Sequence, residues 1–181
     1  MKILIVVLTK SPHRFRFGPT GWWDWKVQCR KAAILQKKFP SAVVFVSSAV
    51  HIAGYLPELD YYRLELARNG LYEGTVNRDG EKVLLLERRG QETIEQLECA
   101  FALAAEHRVR IIVSLTVTHF LRALYLCRKK NVRYSIAIGI PSFREAISDI
   151  LLSILFPFVD FFGFRQRFQE RVICRRESGK H

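Results

Sequence analysis

None of the four cysteines forms a C-x-x-C pair. Cys29, Cys99, Cys127 and Cys174 are scattered along the chain, and that scatter argues against a zinc site built on paired thiols. Cys99 and Cys127 fall within apolar helical patterns, where a thiol packs as a small hydrophobe. Such usage points to a reducing, cytoplasmic setting. Also lacking is any clean apolar run of the ~20 residues that a membrane-spanning helix needs. The apolar stretch at residues 1–8 is cut short by Thr9-Lys10-Ser11-Pro12, and it reads as a buried first strand rather than a leader. There is no repeat array and no low-complexity tract.

Acidic residues are in short supply: 17 Asp and Glu stand against 29 Lys and Arg, a net charge of +12 over 181 residues. A basic surface draws anions such as nucleic acid, acidic lipid, nucleotides or phosphorylated metabolites. The charge is spread and carries no nucleic-acid motif, so a solvated basic surface is the plainer reading and no nucleic-acid partner is obligatory. At 49% hydrophobic and 25% charged, the chain has the composition of one globular domain with a full core.

The pattern predicts strands over residues 2–8, 42–46, 82–86, 110–115 and 132–138. It predicts helices over 26–39, 57–69, 92–107, 118–130 and 143–155, with Gly70 closing the second and Thr118 a candidate N-cap for the fourth. Continuous apolar strands alternating with helices imply βαβ units. The expected architecture is a Rossmann-like α/β three-layer sandwich, with a five-stranded, mainly parallel sheet and helices on both faces. The domain is drawn at residues 1–160. A C-terminal tail, basic from Arg165 onward, occupies 161–181.

In such sheets ligands bind beyond the carboxyl ends of the strands. The polar residues that follow each strand are therefore the candidates: Thr9 and Lys10, Ser47 and Ser48, Glu87, then Thr116 and His119. His119 and Arg122 share a helix face at i and i+3. Placed in a first turn, they can serve an anion, with Arg122 gripping it and His119 acting as donor or general acid/base. Glu58 and Glu87 can orient a ligand hydroxyl, hold a metal or do acid/base work. Each also has an ordinary use, Glu58 on a helix dipole and Glu87 paired with Arg88 or Arg89. Thr93 reads as a capping hydroxyl at a helix start. Ser47 and Ser48 suit phosphate or a simple turn.

In their order, these residues resemble the YdcF/SanA/ElyC superfamily, domain-of-unknown-function family 218. The resemblance rests on Ser47 after the second strand, Glu58 at the start of a helix ending near Gly70, and Leu86-Glu87 followed by Thr93. It rests also on Thr116 followed by His119-Phe120-Leu121-Arg122-Ala123, and on Arg30-Lys31-Ala32-Ala33 in the first helix. It spans residues 1 to about 160. Ser48 and Ala49 replace two family glycines, Glu92 and Gln96 replace asparagines, and Thr9-Lys10 replaces a glycine-rich turn. The resemblance implies a Rossmann-like fold and a small anionic or nucleotide-like ligand, S-adenosylmethionine among them. The positions that match the family are Ser47, Glu58, Glu87, Thr93, Thr116, His119 and Arg122, while Thr9 and Ser48 join the expected ligand-binding set by their place at the strand ends alone; within that set His119 and Glu87 are the acid/base or orienting groups.

Two further segments stand out. Residues 10–25 read as a loop carrying Trp22, Trp23, Trp25, Arg14 and Arg16. It is expected as a lid or wall for the ligand site, with a nucleic-acid stacking platform or simple packing as the other uses. Residues 147–164 are apolar and rich in phenylalanine, and five arginines follow from Arg165 to Arg176. That stretch suits packing on the sheet, a dimer contact or peripheral docking on an acidic membrane.

Overall fold

The structure is a computed structural model that describes residues 3–9, 22–51, 56–90, 92–116, 120–130, 133–139 and 154. Of residues 22–25, 116 and 139 it describes the backbone alone. The described elements run β1 (Ile3–Val7), α1 (Trp22–Lys38), β2 (Ala42–Ser47), α2 (Glu58–Arg68), β3 (Leu84–Glu87), α3 (Thr93–His107), β4 (Arg110–Thr116), α4 (Phe120–Lys129) and β5 (Tyr134–Gly139). The strands form one five-stranded sheet in the order β3-β2-β1-β4-β5. Every pairing is parallel, which makes the expected α/β fold all-parallel.

The strands are apolar without alternation because both faces of the sheet are covered. Leu4, Val6, Leu8, Phe45, Ile111, Val113 and Leu115 turn to the face packed by α3 and α4, where Ile94, Leu97, Phe101 and Leu126 meet them. Ile5, Val7, Val44, Val46 and Ile112 turn to the opposite face. There α1 contributes Cys29, Ala32 and Ala33, and α2 contributes Leu59, Tyr62 and Leu66. The small residues of α1 let that helix approach the sheet closely.

Several boundaries differ from the expectation. Helix α1 begins at Trp22 rather than Lys26, so the three tryptophans stand at its start and not in a loop. From Trp22 to Lys38 the chain carries neither proline nor glycine, and nothing stops the helix from propagating back to the glycine at position 21. The third strand is Leu84–Glu87 rather than 82–86. Lys82 is instead engaged in an isolated antiparallel bridge with Val76. Between them Asn77 Oδ1 accepts from the backbone N–H groups of Asp79 and Glu81, each at 2.9 Å. That Asn-centred turn brings Lys82 back against Val76, and the parallel strand begins only two residues later, at Leu84. Helix α4 is first described at Phe120. The expected cap Thr118, the helix at 143–155 (residue 154 aside), residues 10–21 and the tail at 161–181 lie outside the described residues. Among the described residues no helix is long and apolar enough to cross a membrane.

Candidate functional site

The strand order reverses beside β1. The chain leaves β1 for β2 on one side and later crosses to β4 on the other. In a parallel sheet this opens a crevice beyond the carboxyl ends of the two strands. The buried polar side chains collect along the same edge. Glu65 and Asn77 aside, the buried polar residues among the described ones are Thr9, Gln28, Ser47, Ser48, Glu58, Glu92, Thr93, Gln96, Ser114 and Arg122. Each either follows a strand, ends or nearly ends one, or lies in the N-terminal half of the helix after it.

Thr9, directly beyond β1 and 5% exposed, is held from α3. Its backbone N–H donates to Gln96 Oε1 at 3.0 Å, and Gln96 Nε2 donates to Thr9 Oγ1 at 2.5 Å. One glutamine thus engages both the backbone N–H and the hydroxyl of Thr9. Gly90 sits against the same glutamine. Its φ is +74°, and a Cβ there would lie 3.0 Å from the backbone nitrogen of Gln96. Only glycine fits both conditions. The Gly90 carbonyl accepts from Ala49 N–H at 3.1 Å, so the loops after β2 and β3 are joined to the clamp on β1.

Ser47 and Glu87 are register partners at the ends of β2 and β3. The Ser47 hydroxyl donates to the Arg89 carbonyl. Ser48 N–H donates to the Glu87 carbonyl at 3.0 Å, and Ser48 Oγ accepts from Val50 N–H at 3.3 Å. Both serines therefore build the loops around the edge, and each hydroxyl oxygen keeps further acceptor capacity. The largely exposed Arg88 side chain pairs with Asp60 at 3.8 Å. Cys99, on α3, looks into this corner. Burial first, then the Glu87 carboxylate, push its thiol above the usual range, while a Ser47 hydrogen bond and Arg89 act in the opposite sense.

Glu58 is the first residue of α2 and only 2% exposed. Thr93 is buried and opens α3, but it does not cap the helix. The N-cap is Glu92, in extended geometry and with no side-chain cap hydrogen bond, because the chain turns into the helix one residue earlier than a Thr93 cap requires. Arg122, 7% exposed, lies in the described first turn of α4. Thr116 ends β4 in register with Gly139, its backbone alone described. Lys10 and His119 lie outside the described residues. Hydrogen bonds, register and close approach thus join Thr9, Ser47, Ser48, Glu87, Gly90 and Gln96 into one continuous rim. Among the described residues, no three His, Cys, Asp or Glu side chains are grouped to hold a metal ion.

Sequence reasoning missed Gln28, Gln96, Gly90 and Cys99 as parts of this edge. The glutamines carried a signal: each occupies a position in a buried helical stripe, Gln28 one turn before Ala32 and Gln96 one turn before Ala100. A polar residue on such a stripe calls for a hydrogen-bond partner. The arrangement offers buried carboxylates, a buried guanidinium, hydroxyls and amides at the mouth of a parallel sheet. That is the donor and acceptor set of a small polar ligand site. Comparison with known proteins adds nothing further: the chain matches no family model, no curated protein and no solved structure.

Proposed function

We propose that the protein binds a small anionic ligand of nucleotide type at the carboxyl edge of the sheet, as the resemblance to the YdcF/SanA/ElyC superfamily implies. The observation that supports this reading best is the concentration of buried polar side chains along that one edge, beside the β1/β4 switch point. Burying polar groups is costly, and here they gather where parallel sheets receive ligands. In this proposal Arg122 takes the anionic group. Glu58 and Glu87 orient hydroxyls, and His119, three residues before Arg122, shares acid/base work with Glu87. Ser47, Ser48, Thr9, Thr93 and Thr116 supply the hydrogen-bonding rim.

The test is a thermal-shift and calorimetric screen against nucleotides, S-adenosylmethionine and sugar phosphates. A ligand that binds only the folded state raises Tm. Arg122→Met keeps an unbranched stem and removes the guanidinium with its charge, and is expected to lower affinity for the best ligand at least tenfold. Unchanged affinity in a folded Arg122→Met protein would remove the anion from this edge.

A further inference from the structure

Gln28 stands in α1, in the half of the helix that faces the carboxyl edge. It is 0% exposed. Among the described residues neither Nε2 nor Oε1 of its side chain finds a hydrogen-bond partner. Its backbone is nonetheless fixed to the switch point: the Gln28 carbonyl accepts from Ser114 Oγ at 3.3 Å. Ser114 is the register partner of Val7 on β1 and of Ala137 on β5, two positions before Thr116. In an α-helix side chains lean toward the N-terminus, and the N-terminus of α1, the helix that follows β1, lies at the carboxyl edge. The Gln28 amide is therefore carried toward the crevice between β1 and β4. Below it on α1 the stripe is made of small residues, Cys29, Ala32 and Ala33, none of which offers the amide a partner.

A buried amide with two idle polar atoms works against folding. An apolar residue of similar volume at this position would remove that cost. The amide also has a specific recognition chemistry: donor and acceptor lie side by side in one plane, which matches the donor–acceptor edge of a nucleobase. We infer that Gln28 is a ligand-contacting residue of the strand-end site, reading the base of a nucleotide whose anionic group is held elsewhere on the same edge. The inference rests on the proposed anion site and adds the base to it.

The experiment compares ribose 5-phosphate with the four common nucleoside 5′-monophosphates by calorimetry. The probes share sugar and phosphate and differ by the base. At least one monophosphate is expected to bind about tenfold or more tighter than ribose 5-phosphate, and Gln28→Met, which keeps the volume, to remove that advantage while leaving ribose 5-phosphate affinity unchanged. Gln28→Asn, which keeps the amide but withdraws it by one methylene, is expected to lose it as well and serves if the methionine variant does not fold. An advantage that survives in either folded variant, or ribose 5-phosphate binding as tightly as every monophosphate, overturns the role of Gln28 and leaves the anion site standing. Binding of none of the five probes overturns both.

Discussion

At the scale of single residues, the tightest arrangement on the carboxyl edge is the pair Thr9 and Gln96. Both atoms of the Gln96 amide are used, one on the Thr9 N–H and one on its hydroxyl, and Thr9 is buried. Gln96→Leu keeps most of the volume but leaves a backbone N–H and a hydroxyl without their partner. A buried donor left unsatisfied costs about 1–3 kcal/mol. The variant is expected to lose stability in that range, read from the urea midpoint at unchanged m-value. A change below ~0.5 kcal/mol, the ordinary range for surface substitutions, would show that water replaces the amide at no cost and that the strand end is not held by it. This pair also shows what a sequence conceals. Thr9 was legible as a strand-end residue because the apolar run stops there. Gln96 was not, because its partner is 87 residues distant and no local pattern couples them. Gln28, on the opposite face, was hidden for another reason: its amide has no hydrogen-bond partner among the described residues, so no pairing within the fold singles it out.

At the scale of elements, helix α3 ends on a strained residue. Its C-cap is Arg108 at φ 51°, the only described non-glycine residue with positive φ. The turn is closed by Val109 N–H donating to the Ala104 carbonyl at 3.0 Å, which is how a left-handed residue ends a helix. Helix α2 solves the same problem with Gly70, at φ +87°. An L-residue in this region costs about 1–2 kcal/mol relative to glycine, offset in part by glycine's greater freedom when unfolded. Arg108→Gly is therefore expected to stabilise the protein by about 1 kcal/mol, or ~2–4 °C in Tm for a chain of this size. A lower Tm would mean that the arginine side chain contributes more than the strain it tolerates. The contrast explains which boundaries could be read. Gly70 announces its turn, and β1, β2 and β4 announce themselves as apolar runs because both faces of the sheet are covered. Arg108 carries no such signal. The start of β3 was misplaced because the Asn77 turn depends on hydrogen bonds to Asp79 and Glu81 that alternate readings of the same residues do not require. The start of α1 was misplaced because tryptophan, aspartate and lysine at 22–26 suit a loop and a helix equally.

For the whole molecule, the two cores on either side of the sheet each seal a cysteine. Cys29 lies in the core under α1 and α2, and Cys127 in the core under α3 and α4. Burial pushes the Cys29 thiol well above its usual range, and the Glu65 carboxylate pushes it further. Burial alone pushes Cys127 up to about 11. In the unfolded chain both thiols titrate near ~8.5. Below that value each is protonated folded or unfolded, and the full stability is present. Above it the unfolded chain has released protons that the folded protein still holds, so stability falls as pH rises through the folded values. Each thiol contributes at most ~1.4 kcal/mol per pH unit to that fall. Lysine and tyrosine titrate in the same window, and the thiols are therefore isolated by difference. The Cys29→Ala/Cys127→Ala protein is expected to be weaker at neutral pH, since two core cavities are made. Its urea midpoint should nonetheless decline less steeply than the wild-type midpoint between pH 9 and pH 11. Parallel declines would place the alkaline sensitivity outside the two cores, in the basic surface that gives the chain its charge of +12. A flatter decline would show that the sheet's two faces remain dry enough to keep a thiolate out until the fold itself gives way.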